Sequence, residues 1–189
     1  ELDKAITDMA TDKATGPSQI PAEAFKWMPP AMRGRVREFL SECLRRQQFP
    51  KAANMAKMWL VPKSPEGEND LQQTRPIALM ETLAKIYERI ICARVLAVMM
   101  TNNMIDRCQH GAIPEGTTED AMFNLAAVMD DARQSGHPLY LLSLDLSKAF
   151  DTLEFWSQAL SWKAFGMPDS LIRTLMQMDS TATTQVAMG

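Results

Sequence analysis

The chain has 189 residues, of which 46% are hydrophobic, so it can form a sizeable buried core and does not have the composition of a disordered protein. Its net charge of −3 argues against a protein that binds nucleic acid through an overall positive charge. No charged-then-apolar leader begins the chain, and Arg94 interrupts its longest apolar run, so we expect a soluble protein with no membrane partner.

The cysteines Cys43, Cys92 and Cys108 are scattered along the chain without CxxC spacing. Three thiols cannot all form disulfide pairs, and the pattern favours plain buried thiols in a reducing compartment. The pattern implies no zinc site.

Charge is distributed unevenly along the chain. Between Lys26 and Lys63 nine basic residues stand against two acidic ones, an excess of seven, so the remaining residues sum to −10. This asymmetry is compatible with a basic lobe facing phosphates and an acidic lobe that holds metal. A solvated helix face accounts for isolated Arg and Lys pairs equally well.

Helical periodicity and breaker residues predict three helices in the first part of the chain, at 2–9, 21–27 and 31–47. The third has apolar residues on one face and arginines on the other, which is typical of an amphipathic helix with a basic outer side. Two strands follow, at 58–61 and 75–79, and the polar, turn-rich linker between them predicts a long hairpin.

Each strand of this hairpin carries one cation near the loop, Lys63 on the first strand and Arg75 on the second. Two facing cations form a clamp suited to a triphosphate, because Arg forks onto paired oxygens and Lys acts as a point charge. The alternative interpretation is that both are surface charges flanking a loop.

The second half of the chain predicts helices at 82–100, 118–134, from 151 or 152 to 165, and 168–178, and a last strand at 183–188. The first of these helices carries a continuous apolar stripe, so we expect it to be core scaffold. The glycine-punctuated loop 109–116 precedes a capping box, Thr117 to Asp120, that opens the next helix.

A short apolar run at 139–144, bounded by Gly136 and Pro138, predicts an interior strand that ends at Asp145. A carboxylate there is costly to bury unless a divalent metal or a cationic side chain meets it. A P-loop nucleotidase is excluded because the chain has no GxxxxGK(S/T) stretch, and Ser147 stands where an aspartyl phosphatase would have a second aspartate. That Asp145 merely caps a strand stays open from this stretch alone.

Together these blocks resemble reverse transcriptases of the non-LTR (LINE-like) retrotransposon type, with group II intron reverse transcriptases as near relatives. The resemblance rests on Lys13 to Pro17 with Ile20-Pro21, Lys63, Arg75 to Leu79, Lys85 to Glu88 with Arg94, Gln109-His110-Gly111, and Leu144 to Leu146 with Lys148 to Asp151. Ser18-Gln19 stands where the family more often has Asp-Gly, and Ala112 replaces a common aromatic residue.

The resemblance implies that Asp145 is a catalytic residue and binds two Mg²⁺ ions, or Mn²⁺, with the Leu146 carbonyl as a further ligand. Asp151 is either a second ligand or, as its place ahead of a helix favours, an N-cap. The family's second carboxylate block, an Asp-Asp pair on a later palm hairpin, and its thumb have no counterpart before Gly189. We therefore expect the isolated fragment to be inactive.

The resemblance also implies the residues that bind substrate. Lys63 and Arg75 would bind the triphosphate, the amides of Lys148 and Ala149 would add donors, and Phe150 would lie under the sugar and favour deoxynucleotides. Gln109 and Gly111 would contact the template.

The predicted fold is α+β, mostly helical, with right-hand polymerase fingers at 1–108, including the hairpin, and an incomplete palm with a small sheet at 109–189. The predicted function is extension of a DNA 3′ end on an RNA template, with RNA, a DNA primer and deoxynucleoside triphosphates as partners, in the nucleus or the cytoplasm. Two alternatives are a non-catalytic scaffold related to reverse transcriptases and a protein- or RNA-binding domain that forms a homodimer through an unpaired palm edge.

Overall fold

A computed structural model of the chain describes residues 1–64, 73–114, 116–147, 149 and 152–187. In these ranges the chain is mostly helical with one small sheet. The elements are α1 (Leu2–Thr7), α2 (Ala22–Lys26), α3 (Pro30–Arg46), β1 (Met55–Pro62), β2 (Thr74–Met80), α4 (Thr82–Thr101), α5 (Thr118–Ser135), α6 (Phe155–Ala164), α7 (Asp169–Thr181) and β3 (Thr183–Ala187). A short 3₁₀ turn, Lys51–Ala53, precedes β1.

The predicted hairpin is confirmed, and the predicted last strand joins it in a three-stranded sheet of order β2-β1-β3. β1 and β2 are antiparallel, with a register that runs from Ala56 opposite Met80 to Pro62 opposite Thr74. β3 lies parallel to β1 on its other side, with Met55 opposite Thr183. The hairpin is therefore fixed at its base by a strand that comes from the far end of the sequence.

The first half of α4 is the centre of the core, as the apolar stripe predicts. Ile86, Tyr87 and Ile91 are almost fully buried, and the Tyr87 ring stacks on Phe49 with 4.8 Å between ring centroids. The stripe does not stay buried along the whole helix, since Val98 is 57% exposed. The scaffold role is thus confirmed for the first half of the helix only.

α7 is fastened to the segment that leads into β1. The Gln177 side chain accepts a hydrogen bond from the Phe49 N–H at 2.7 Å and donates one to the Phe49 carbonyl at 3.1 Å. The buried Asn54 amide donates to the Met178 carbonyl at 2.7 Å, and the Thr183 N–H donates to the Asn54 carbonyl at 3.2 Å. These bonds set the start of β1 and of β3 beside each other.

The chain divides into two compact units, one formed by Glu1–Cys92 with Glu154–Gly189 and the other by Ala93–Leu153. In the second unit the predicted capping box is confirmed, because the Thr117 hydroxyl accepts a hydrogen bond from the Asp120 N–H at 3.1 Å. Gly136 ends α5 with a φ of 70°, a left-handed conformation that glycine adopts without strain. The division into fingers and palm at residue 108 stays a prediction.

The predicted interior strand at 139–144 is wrong for this structure. This segment is irregular, and Tyr140, Leu142 and Leu144 are between 82% and 90% exposed. A strand is stabilised by hydrogen bonds to a neighbour, and the three strands in the described part of the chain pair with one another and not with this segment. Its apolar composition gives it β propensity but no partner.

Two smaller expectations are also corrected. α6 begins at Phe155 rather than at residue 151 or 152, because the backbone of Glu154 is still extended. Of the three thiols only Cys43 is buried, whereas Cys92 and Cys108 are exposed. Among the described helices, we find none with the length and apolar character that crossing a membrane requires.

Candidate functional site

The two predicted phosphate-binding cations lie on one face of the hairpin. Side chains alternate between the two faces of a strand, so residues two apart share a face, and directly opposed residues of paired strands share it too. On this face the register pairs Lys57 with Leu79, Trp59 with Ile77 and Val61 with Arg75. The Lys63 N–H donates to the Gln73 carbonyl at 2.7 Å, so the alternation continues to Lys63 beyond β1. We call this surface the cationic hairpin face.

A cavity of about 610 Å³ opens at the base of the cationic hairpin face. It is lined by Ala14, Thr15, Gly16, Pro17, Gln19, Lys57, Trp59, Ile77 and Leu79. Trp59 is 39% exposed, and the Lys57 Nζ lies 4.7 Å from the centroid of its ring in a cation–π contact. Sequence reasoning missed Trp59, although its position four residues ahead of Lys63 on a strand places it on the same face.

The other wall of this cavity is the loop 14–20, which Glu81 holds. Glu81 is 7% exposed, and one carboxylate oxygen accepts a hydrogen bond from the Ser18 N–H at 2.8 Å while the other accepts one from the Ser18 hydroxyl. The next residue, Thr82, donates its hydroxyl to the Ile20 carbonyl at 2.5 Å. Nothing in the sequence alone distinguished Glu81 from a surface carboxylate.

The loop turns at the position where the family more often has Asp-Gly. Gln19 has a φ of 60°, and its N–H donates to the Gly16 carbonyl at 3.0 Å. A left-handed φ strains any residue that has a Cβ atom, which explains why glycine is favoured there. The turn forms in this chain despite that strain.

Asp145, the predicted catalytic residue, is exposed and lies in the irregular segment of the second unit. Leu146 is 78% exposed, and Ala149 is exposed as well. The other predicted residues of this block, Lys148, Phe150 and Asp151, lie outside the described residues. The structure therefore places Asp145 and Leu146 next to each other at an accessible position but does not describe the whole block.

Within the described ranges, no group of three or more His, Cys, Asp or Glu side chains is arranged to hold a metal ion. Asp145 supplies one carboxylate and Leu146 one carbonyl, both oxygen donors of the kind that Mg²⁺ prefers. These two donors do not by themselves complete a Mg²⁺ site. The one adjacent aspartate pair in the sequence, Asp130-Asp131, lies on α5 and not on a hairpin.

The two predicted template-binding residues are brought together in the loop that precedes α5. The Gln109 side-chain amide donates to the Gly111 carbonyl at 2.7 Å, and the Gln109 N–H donates to the Asp106 carbonyl at 3.0 Å. His110, between them, contacts the Asn124 amide at 3.2 Å through its Nε2. The loop is thus a closed turn with exposed polar groups, and contact with a template stays a prediction.

The arginines of α3 are largely compensated by acidic residues. Arg45 and Arg46 both pair with Glu42 at 2.5 Å, and their hydrogen bonds lower the pKa of Glu42 from 4.5 to about 2. Arg33 and Arg37 pair with Asp3 at 3.2 and 3.5 Å. These contacts favour a solvated helix face with ion pairs over a dedicated phosphate-binding surface on α3.

Comparison with known proteins identifies the class. The sequence profile of the family described as reverse transcriptase (RNA-dependent DNA polymerase) matches residues 61–188, more than half of the chain. The chain therefore belongs to the reverse transcriptase family, which confirms the resemblance inferred from the sequence.

The relatives include proteins of a transposon, a mobile element and a retrotransposable element. The chain is 26% identical over 183 residues to an uncharacterised 149 kDa protein of transposon TX1 from Xenopus laevis, a match that covers 96% of this chain and 14% of that protein. It is 24% identical to the RNA-directed DNA polymerase from mobile element jockey of Drosophila melanogaster, over 87% of this chain and 18% of that protein. It is 23% identical to the Pol polyprotein of the retrotransposable element R2DM from the same species, over 91% of this chain and 16% of that protein. The chain thus spans less than a fifth of the length of these relatives.

Proposed function

We propose that this chain is part of an RNA-directed DNA polymerase that extends a DNA 3′ end on an RNA template from deoxynucleoside triphosphates. The observation that carries the proposal is the family match over 61–188, which includes Lys63, Arg75 and Asp145 in the order that the resemblance requires. The relatives named as RNA-directed DNA polymerases support the same reaction.

Lys63 and Arg75 are proposed to bind the triphosphate. Both are exposed, and both lie on the cationic hairpin face, so one ligand laid along that face would pass both residues. Cations that are already in place stabilise the negative charge that develops on the leaving pyrophosphate, without reorganisation during the reaction. Lys148 and Ala149 are proposed to add backbone donors.

Asp145 is proposed to be the catalytic carboxylate and, with the Leu146 carbonyl, to contribute oxygen ligands to Mg²⁺ or Mn²⁺. A bound divalent ion supplies charge stabilisation to phosphoryl transfer. The exposure of Asp145 supports this role, since a carboxylate sealed in the core could not reach a substrate. Because the described residues do not complete the site, the remaining ligands would have to come from elsewhere, and we expect the 189-residue chain to be inactive by itself.

The experiment is RNA-templated primer extension by the longer polypeptide to which we propose that the chain belongs. Asp145→Asn is expected to lower the extension rate by about 100-fold or more, because a catalytic charge is lost while the side chain keeps its size. The matched control is Asp130→Asn on the exposed side of α5, which is expected to leave the rate unchanged. Equal rates for both variants would refute the role of Asp145.

The phosphate clamp has its own test in the same assay. Arg75→Ala is expected to raise the KM for the nucleotide by about tenfold or more, because a charge-assisted contact with the triphosphate is removed. Arg35→Ala, which removes an exposed arginine from α3, is the control and should not change the KM. An unchanged KM and an unchanged rate for Arg75→Ala would exclude the clamp.

Selection of the sugar is proposed to depend on Phe150. Replacing it with Ala is expected to admit ribonucleotides, because space opens where the 2′-hydroxyl would lie. The measurement is the ratio of ribonucleotide to deoxynucleotide incorporation, with Phe165→Ala as a control at an exposed aromatic residue. Continued exclusion of ribonucleotides by the Phe150→Ala variant would refute the proposed role of Phe150 in selecting the sugar.

A homodimer is the second candidate, and one feature of the second unit favours it. Met122 and Phe123 on α5 are 71% and 73% exposed, which is unusual for large apolar side chains of a monomer. Sedimentation of the 189-residue chain at micromolar concentration tests this candidate. A single monomeric species across the concentration range would exclude it.

A further inference from the structure

Glu81 lies between β2 and α4, and its buried carboxylate is hydrogen-bonded to Ser18. Burying a carboxylate is costly unless both of its oxygens are satisfied. Here both oxygens accept hydrogen bonds from the single residue Ser18, 63 positions earlier in the sequence. The arrangement therefore links a loop near the start of the chain to the end of the hairpin.

Two further contacts fix the same junction. The Glu81 N–H donates to the Met55 carbonyl at 3.1 Å, which holds the backbone of Glu81 at the end of the β ladder. The Thr82 hydroxyl donates to the Ile20 carbonyl at 2.5 Å, and Thr82 is 4% exposed. The loop 14–20 is thus attached at both Ser18 and Ile20, and both attachments end on the β2–α4 junction.

The loop also packs its backbone directly on the end of β2. A Cβ atom at Gly16 would lie 2.7 Å from the carbonyl carbon and oxygen of Met80, closer than real Cβ atoms approach backbone. Only glycine allows this contact. The close packing at Gly16 and the hydrogen bonds of Glu81 act together, because both hold the loop against Met80 and Glu81.

The position of this loop decides the shape of the cavity on the cationic hairpin face. Gly16 and Gln19 line the cavity from the loop side, and Trp59 and Ile77 line it from the hairpin side. Further along the same face comes Arg75, paired with Val61. A ligand that lies along this face and reaches Arg75 therefore lies beside the cavity whose outer wall is the loop.

We propose that Glu81 is a positioning residue, whose carboxylate holds the loop 14–20 over the cationic hairpin face and so keeps the cavity beside Trp59 closed on its outer side. The effect on nucleotide binding rests on the proposed function. The position of the loop is a property of the chain alone and is tested separately.

The first test measures how accessible Trp59 is to acrylamide in the 189-residue chain, with Trp27, Trp156 and Trp162 replaced by Phe so that the fluorescence reports Trp59 only. Glu81→Ala is expected to raise the quenching constant about twofold, since Trp59 is 39% exposed while the loop is in place and the loop would open locally. Glu38→Ala, at an exposed position on α3, is the control and should leave quenching unchanged.

Glu81→Gln is the conservative variant that separates positioning from charge. Its amide oxygen still accepts from the Ser18 N–H, and its NH₂ group can donate to the Ser18 hydroxyl oxygen, so both hydrogen bonds have a counterpart. We expect the Glu81→Gln variant to have the same quenching constant as the chain that keeps Glu81. The proposal is overturned if Glu81→Ala leaves quenching unchanged, or if Glu81→Gln opens the loop as far as Glu81→Ala does.

A second variant keeps Glu81 itself, in case the Ala variant does not fold. Ser18→Ala combined with Thr82→Val removes the hydroxyl contacts of both residues, including the bond that the Ser18 hydroxyl accepts from the Ile20 N–H at 3.3 Å. It keeps the backbone N–H of residue 18 as a donor to Glu81, so quenching is expected to rise to an intermediate value. Circular dichroism verifies that the variant is folded. A folded double variant with unchanged quenching would contradict the proposal.

The last arm uses polymerisation by the longer polypeptide. Glu81→Ala is expected to raise the nucleotide KM about threefold to tenfold with little change in kcat, and Glu81→Gln should restore the original KM. A fall in kcat at constant KM would overturn the positioning role. If the unmodified polypeptide does not polymerise at all, the proposed function fails, while the quenching result still decides whether Glu81 holds the loop.

Discussion

At the residue scale, Glu88 on α4 shows how burial changes a carboxyl group in this core. Burial, with the nearby charge of Asp179, raises the pKa of Glu88 above its ordinary 4.5, and Lys85 offsets only part of that rise. Burial also raises the pKa of Asp179 on α7. Two half-buried acids near each other are therefore harder to ionise in the folded chain than in the unfolded chain.

The sign of the pH effect follows from this shift. Below the ordinary pKa of 4.5 the carboxyl of Glu88 is protonated in both the folded and the unfolded state, so its ionisation does not change the free energy of unfolding. As the pH rises above that value, the unfolded state loses its proton first, so stability falls until the folded carboxyl ionises as well. We expect Glu88→Gln to raise Tm by a few degrees at pH 7 and to leave it nearly unchanged at pH 4. Glu38→Gln is the exposed control, and an equal rise at both pH values would contradict this explanation.

Gln19 offers a second prediction at this scale, because its φ of 60° is left-handed. Gln19→Gly removes a strain of about 1 kcal/mol, of which the greater freedom of glycine in the unfolded chain cancels a part. We expect a small gain in the free energy of unfolding, measured in urea. Gln48→Gly, at a position whose φ is not positive, should lower it. A decrease in the free energy of unfolding for Gln19→Gly as large as that for Gln48→Gly would show that the backbone at Gln19 is not strained.

At the element scale, the periodicity of apolar residues predicts most helices and strands. The segment that it predicts wrongly is one whose structure depends on pairing with a neighbouring strand. α3 and α4 were placed to within about a residue at either end, because apolar spacing and breakers are local signals. The hairpin was also found, since its linker is rich in turn residues. The segment 139–144 has equally strong β character, yet whether it forms a strand depends on a neighbouring strand, which no local pattern encodes.

In the candidate site, too, the sequence predicts the residues that local spacing determines and misses those that depend on contacts remote in sequence. Local spacing predicts Lys63 and Arg75 on one hairpin, and the alternation of side chains along the paired strands puts both positions on one face, while their role in binding stays a prediction. Glu81 was missed because its partner, Ser18, is remote in sequence. A buried carboxylate and an exposed one look alike until the loop that covers it is known.

The attachment of α7 to β1 gives a prediction for an element contact. Asn54→Ala removes the amide that donates to the Met178 carbonyl and to the Thr181 hydroxyl at 3.2 Å. Since Asn54 is 5% exposed, we expect a loss of about 1–3 kcal/mol in the free energy of unfolding, typical of a buried acceptor left unpaired. Asn102→Ala removes an exposed hydrogen bond to the Val98 carbonyl and serves as the control. A decrease in the free energy of unfolding for Asn54→Ala no larger than that of the control would show that these hydrogen bonds do not stabilise the contact of α7 with the segment before β1.

At the scale of the whole molecule, the unit formed by residues 93–153 has an excess of acidic residues. Residues 93–153 contain eight acidic and four basic residues, and Asp145 is among the acidic ones. The other unit carries the cationic hairpin face. An acidic unit suits oxygen ligation of divalent cations, and exposed cations on the hairpin suit phosphates.

The most direct measurement is incorporation of a single nucleotide by the longer polypeptide on an RNA template annealed to a DNA primer. Each of the four deoxynucleoside triphosphates is supplied separately in the presence of Mg²⁺. Our account predicts that the primer grows by one nucleotide only with the nucleotide complementary to the template base, and that the product disappears when the RNA is omitted. Incorporation without RNA, equal incorporation of all four nucleotides, or no incorporation at all would contradict it.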